Sequence, residues 1–506
     1  MSDVDDSAKV FPAPNTQVVS LLKTTKKGTT FWCIFLSICV ALFLSALELT
    51  AVSTALPTIA YDLHATDFVW VGSAYALSST AFLPMSGGLA QLFGRRPALL
   101  ACLALFALGS GICGGAKSMA MLIAGRTVQG LGGGGIQSLS AIILADLVTL
   151  HERGLYAGLF GLTWSIACII GPVVGGSLAD RGQWRWLFYL NLPICGLAAI
   201  FVFMFLNLPA PPGTLREKLM RLDWIGNFLV IGTRVLVPLI LGLVGLGVFI
   251  LYEAKWGLNL CLSGYLQTFF VAVIALAVVY FMPVYFQGCK DASPITSGVR
   301  NLGLSALAPA AIIAGVVVNR TRRYRPQMWT GWCLIMVGLG LYSTLKAGDP
   351  DGRAVGYGVL LGVGIGFEYS TTMFPIQAPL PVSENAHALA FMMFVRSFAG
   401  VWGVTIGSTV LQNELKRRVP ASFLQKFPGG AAIAYALIPQ VPSLPQPLKE
   451  SVQVAFAGSL DVLWQVLIGI AGMGLLSSLF MKGLPLHTSL DEEWAMDERK
   501  VEVHEV

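Results

Sequence analysis

Residues 161–179 read GLTWSIACIIGPVVGGSLA. The run carries no charge until its end, and Ala167, Gly171, Gly175 and Ala179 recur every four residues, so one helix face is stripped almost to backbone. A second helix can then approach very closely. Pro172 lies within that face. It removes one helical donor and presses on the carbonyl of Cys168, which predicts a bend. Taken alone, such a face marks an ordinary close contact in a helical membrane bundle.

The rest of the chain supplies the bundle. Charged residues make up 12% of the 506 positions and apolar residues 55%, against about 25% charged in ordinary soluble chains. Apolar runs near the ~20 residues needed to cross ~30 Å of hydrocarbon recur from Phe31 to Met481, which predicts an all-α polytopic membrane protein. The formal charge of +6 is scattered over loops rather than gathered in a stripe, arguing against a nucleic-acid partner. The nine cysteines lie mostly in apolar runs with no Cys-x-x-Cys pair and read as packing residues, with no metal site expected. No Gly-Lys-Ser/Thr phosphate loop exists, which argues against ATP as a partner, and GLGGGG at 130–135 satisfies G-x-G-x-x-G only inside an apolar helix with no strand before it. Neither a cofactor nor an enzymatic site is expected.

In chain order, 1–30 is a polar tail with Lys23, Lys26 and Lys27 beside the first span; with no cleavage site evident, it is predicted to be cytosolic. Six spans follow at about 31–56, 69–93, 98–116, 121–147, 154–179 and 187–208, a first six-helix bundle over 31–208. The short loops on the tail's side hold Arg95, Arg96, Arg153, Arg216, Lys218 and Arg221, the opposite loops only Lys117, Arg181 and Arg185, a usable positive-inside signal. An inner loop and irregular linker occupy 209–264. Within it, 224–252 is mostly apolar but contains Arg234, too short for two comfortable spans and too long for one. A second six-helix bundle is read over 265–481, with a long outer loop at 412–461, and an acidic cytosolic tail over 482–506. Two short passes within 224–252 give fourteen helices.

A repeat constrains that count. GGLAQLFGRRP at 87–97 and GVVVNRTRRYRP at 315–326 align on Gly87 and Gly315, placing Gln91 opposite Asn319 and Arg95 opposite Arg323. Two related halves with both loops on one side are implied, so 224–252 crosses twice or not at all.

Several stretches resemble one family. LELTAVSTALP at 47–57 is similar to the first-helix signature of the fourteen-helix drug/proton antiporter family of the major facilitator superfamily, with Glu48 where Asp is usual. Residues 87–96, with Gly87, Gly94, Arg95 and Arg96, resemble its loop between helices two and three, whose usual Asp is Gln91 here. Arg126, Gln129 and Gly130 resemble the fourth-helix motif, and Trp184, Arg185, Trp186, Phe188, Asn191 and Pro193 the start of helix six. Gly161 and the run Gly171, Pro172, Gly175 and Gly176 look like the fifth-helix antiporter motif associated with outward transport. The resemblance implies a major facilitator fold of two six-helix bundles with a shortened two-helix insertion. It also implies a fungal-type multidrug or metabolite exporter, moving amphipathic small molecules against proton entry through the lipid bilayer as a monomer.

Ionisable groups inside a span are costly and need a reason. Glu48 and Arg126 match in depth, so Glu48 is the candidate proton carrier with Arg126 as partner; a static pair fixing helix register is the alternative. Glu368, in GVGIGFEYSTTMFP at 362–375, and Arg396, in FMMFVRSFAG at 391–400, are the candidate equivalent pair in the second half. Asp146, with Glu152 and Arg153, is expected to form a gate or loop salt bridge. Candidates for lining a midplane cavity are Tyr75, Gln129, Trp164, Phe281, Tyr285, Tyr369, Phe374 and Trp402. The competing readings are a proton-coupled importer of a nutrient or metal chelate, and a non-transporting variant. The plasma membrane is the expected location, the vacuolar membrane the alternative, with both termini cytosolic.

Overall fold

The computed structural model describes residues 27–63, 68–148, 150–206, 259–380, 385–420, 423, 435–481 and 483–484. Among them the chain is helical throughout, in twelve long segments. The first six are α1 (Thr29–Asp62), α2 (Val69–Phe93), α3 (Arg95–Gly114), α4 (Met119–Leu147), α5 (Leu150–Asp180) and α6 (Arg185–Phe205). The second six are α7 (Asn259–Cys289), α8 (Pro294–Thr321), α9 (Arg325–Ser343), α10 (Asp351–Gln377), α11 (Asn385–Arg418) and α12 (Leu448–Leu479). Nine of these are long and apolar enough to cross a membrane by composition alone. The others, α2, α4 and α9, carry more glycine and polar residues. The two tails, 224–252 and therefore the count of fourteen lie outside the described residues.

The helices alternate in direction, which defines two ends of the molecule. At one, Trp184 Nε1 and Arg185 Nη1 donate to Asp62 Oδ2 at 3.0 and 3.2 Å, tying the start of α6 to the end of α1. At the other, Arg95 between α2 and α3 pairs with Asp146 near the end of α4. We refer to the Asp62 end and the Arg95 end. In the second half, Arg300 Nη2 meets Asp351 Oδ2 at 2.6 Å at the Asp62 end. At the same end Lys290 Nζ donates to the carbonyls of Ala347 and Asp349. The Lys346 amide donates to Asp349 Oδ2 at 2.8 Å and holds that carboxyl below its usual range. Ser263 and Trp329 both donate to the last turn of α12 at the Arg95 end.

Apolar side chains of α1, α3 and α4, including Ile38, Phe106 and Ile143, form the core of the first half. The second half packs around α7, and that core continues across the midline onto Ala51, Ala55 and Ile59 of α1. Apolar packing thus runs across the midline without a break, and the two halves form a single packed body.

The repeat is visible in the backbone. Gly94 has φ 94° and donates its amide to Ala90 O; Arg322, the position aligned with it, has φ 56° and donates to Val318 O. Each closes its helix with a positive-φ residue at the Arg95 end, glycine being the unstrained choice at the first. Two boundaries differ most from the sequence expectation. The helices α11 and α12 enter the segment 412–461 read as loop, reaching Arg418 and starting at Leu448. Charge removed these turns from the apolar pattern, yet Glu414 pairs with Arg418 at 3.0 Å and Arg417 at 3.3 Å along the helix and supports it.

Candidate functional site

Glu48 and Arg126 meet in the interior of the first half. Arg126 Nη1 lies 2.7 Å from Glu48 Oε1, and neither side chain has any exposure. The same Nη1 donates to Gln129 Oε1 at 2.7 Å, and Nε donates to the Val71 carbonyl at 3.0 Å. The second carboxylate oxygen of Glu48 accepts from Asn191 Nδ2 at 2.5 Å. Gln129 Nε2 donates to Ser110 Oγ at 2.8 Å, and the guanidinium lies 4.4 Å over the Tyr75 ring. Helices α1, α2, α3, α4 and α6 thus each contribute to one polar knot. The close approach this needs comes from the glycine run of α4: a Cβ on Gly130 or Gly134 would collide with α2, and one on Gly132 with α3.

The knot touches the second half through Tyr280 of α7. Its ring fits against Gly72 of α2, where an added Cβ would lie 2.9 Å away. Its buried hydroxyl adjoins the Arg126 guanidinium, a contact between the halves. Asn191, Ser110 and Tyr280 were not singled out as site residues from the sequence. Asn191 had a signal, because it sits in the helix-six motif.

At the Arg95 end Asp146 pairs with Arg95, at 3.0 Å to Nε; the salt bridge expected with Glu152 and Arg153 falls on side chains outside the described set. Arg95 Nη1 also donates to Ala90 O at 2.9 Å, and Arg96 lies 4.3 Å over the ring of Phe203. The loop therefore fastens α2 to α4 and α6, a long-range pairing that local sequence order hides. Gly87 lies close to Ile142 of α4. The side chains of Gln91 and Arg153 lie outside the described set.

The small-residue face of α5 serves both halves. Gly171 and Gly175 press on Thr50 and Ala51 of α1, while Gly176 presses on Ile295 of α8. Across the same seam, a Cβ on Gly298 would sit 2.6 Å from the Pro172 carbonyl oxygen. Thr50 Oγ1 donates to Ala167 O at 3.3 Å. α5 runs unbroken through Pro172, and Gly161 faces nothing within 4 Å. Around this seam the Asp62 end is closed. Gln287 Nε2 donates to Thr54 O at 3.1 Å, the rings of Phe68 and Tyr435 stack at 3.9 Å, and Gln440 donates to the Tyr61 hydroxyl at 2.7 Å.

Glu368 and Arg396 do not form the expected pair. Glu368 is fully buried against Gly331 and the Trp332 backbone of α9. Arg396 instead lies 4.4 Å over the ring of Tyr369. Equal depth on two helices does not set the rotation of either, and here the two side chains point to different neighbours.

A cavity of about 80 Å³ lies between the halves, walled by α1, α5, α7, α8 and α10. Of the candidate lining residues, Trp164 and Tyr369 reach it. Thr50, Ser53, Ser165, Asn301 and Ser305, not singled out from the sequence, add polar groups to its wall. The other candidates point elsewhere. Tyr75 and Gln129 belong to the Glu48 knot, and Phe281 packs against Gly407 of α11. Tyr285 donates to the Lys346 carbonyl, Phe374 stacks on Tyr324, and Trp402 meets Phe398 edge-on. Among the described residues no His/Cys/Asp/Glu group suits a metal, and the eight described cysteines are free.

Two six-helix halves, an interior charge pair in one of them and a cavity at their junction define a multi-pass helical membrane transporter. The family model of the Major Facilitator Superfamily matches residues 38–404, and the chain belongs to that family. It is 37% identical to "Efflux pump FUS6" of Gibberella fujikuroi over 532 aligned residues, covering 97% of this chain and 96% of that protein. It is also 37% identical to "MFS-type efflux pump LUC4" of a Fusarium species, covering 94% and 91%. Among solved structures it resembles a D-xylose-proton symporter, with TM-score 0.61, 15% identity and coverage of 90% of this chain and 98% of that one. A bacterial homologue of the lysosomal transporter Spinster, inward-facing and occupied, gives TM-score 0.64 at 13% identity, covering 90% and 97%.

Proposed function

We propose that this chain is a proton-coupled exporter of amphipathic small molecules that works by alternating access. The observation that carries the reading is the Glu48–Arg126 pair: fully buried, shared by five helices and adjacent in sequence to Leu49 and Thr50 of the cavity wall. A proton delivered to Glu48 Oε1 cancels the charge that holds Arg126 Nη1. The guanidinium then keeps Gln129 and Val71, and can strengthen its contact with Tyr280 of the other half. Such a two-state pair converts protonation into a bias on how the halves pack. Glu368, fully buried and not paired with Arg396, is a second proton-carrying candidate. The relatives named efflux pumps support export and a metabolite-like substrate.

The positive loop residues of the first half support a cytosolic Arg95 end and N-terminus, and the repeat supports the same side for the C-terminus, with the closed Asp62 end external. The plasma membrane is the proposed location, with the protein acting as a monomer and without catalysis, ATP or nucleic acid. The test is efflux driven by an imposed pH gradient, comparing wild type with Glu48→Gln. The variant is expected to lose at least about tenfold in gradient-driven rate, and undiminished efflux removes Glu48 from the mechanism. Accumulation in cells, rising or falling on expression, decides export against import.

A second reading, a folded protein that no longer transports, has one observation in its favour. The alignment to the FUS6 pump runs over 532 residues, longer than this chain of 506, so the relative has residues this chain lacks. Proteoliposomes of folded protein with no substrate-dependent proton flux favour that reading.

A further inference from the structure

We infer that Arg396 is a carboxylate-recognition group at the edge of the central cavity, and that the molecules this transporter takes include amphipathic aromatic or conjugated acids. The inference rests on the cavity being the substrate site. Arg396 is part-buried on α11, one helical turn before Gly400, whose added Cβ would lie 2.9 Å from Leu276 Cδ2. Leu276 lines the cavity, as does Tyr369, on whose ring the guanidinium rests at 4.4 Å. The stack fixes the plane of the guanidinium but uses none of its N–H groups.

Nε and Nη2 are both buried without a hydrogen-bond partner. These two nitrogens form the side-on edge of the guanidinium, whose parallel N–H bonds match the two oxygens of one carboxylate. Leaving such an edge empty away from water is costly, and a ligand anion supplies what the protein does not. Glu368, on the neighbouring helix, does not fill it. Neither nitrogen touches solvent in this conformation, so the guanidinium must slide off Tyr369 into the cavity to engage a ligand. None of the cavity-lining residues is charged, which suits a single planar monoanion better than a phosphate dianion that needs several cations. Trp164, Leu276, Val279 and Leu304 provide an apolar wall for the remainder of the molecule.

The experiment is equilibrium binding of 1-pyrenebutyrate and of the neutral 1-pyrenebutanol, read by pyrene fluorescence, to the full chain in lipid nanodiscs near neutral pH. The two probes share a ring and a chain length and differ in charge. Wild type is expected to prefer the acid by about tenfold or more. Arg396→Gln abolishes the preference while leaving alcohol affinity within about twofold, and Arg396→Lys, a point charge without the fork, keeps only part of it. The inference is overturned if wild type binds neither probe or does not distinguish them. It is also overturned if Arg396→Gln weakens both in parallel, the mark of a stack that only holds the helices, or if Arg396→Lys keeps the full preference. With no proton gradient present, the result is independent of whether Glu48 couples transport to protons.

Discussion

Glu48 and Arg126 are a pair in which each partner makes the other tolerable. Removing one leaves an uncompensated charge at zero exposure, a situation that costs about 3–5 kcal/mol in buried pairs. Arg126→Gln should therefore lower the melting temperature of the purified protein markedly. The double variant Glu48→Gln/Arg126→Gln should melt above it, because the interaction is non-additive. Equal destabilisation by the single and double variants, measured by a thermal-shift assay, contradicts the pairing. At this scale the sequence was informative because ionisable residues stand out in an apolar run. Matching depth found Glu48 and Arg126 correctly placed together, and failed for Glu368 and Arg396, where helix rotation separates them.

Helix α5 shows what a motif contains and what it does not. Gly175→Val would drive a side chain into the α1 backbone at Ala51, and Gly176→Val into α8 at Ile295. Both are expected to reduce efflux at least about tenfold or to prevent folded expression, since overpacking at backbone contact has no flexible neighbour to yield. Gly161→Ala, with nothing within 4 Å, should leave yield and efflux within about twofold. Reconstituted transport rates check both, and a severe Gly161→Ala phenotype would mean that α5 meets another element at that level during the cycle. The four-residue spacing of small residues identified the close face from the sequence. That this face meets α1 while Pro172 and Gly176, one position on, meet α8, making α5 a seam between halves, was not legible, because spacing shows a face and never its partner.

For the molecule as a whole, alternating access requires the closed Asp62 end to part. The stacked rings of Phe68 and Tyr435 join the two halves there. A short reducible cross-linker between Phe68→Cys and Tyr435→Cys is expected to cut efflux to below about a tenth, with recovery on reduction and no effect of the reagent on wild type. Full transport by quantitatively cross-linked protein contradicts the assignment of that end as a gate. By itself, the sequence determined the membrane class, the twelve described helices to within a turn or two at most boundaries, the two-fold repeat and the identity of the first-half charge pair. Each of these follows from local physics, since a span, a cap or an isolated charge in oil is constrained by the residues around it. Only the tertiary structure decided that Asp146 binds Arg95, that Asn191 completes the Glu48 site, which side chains line the cavity, and that Arg396 rests on Tyr369 with one edge of its guanidinium empty. Those depend on the rotation of one helix against another, which is set by packing summed over many contacts and leaves no local trace in the chain.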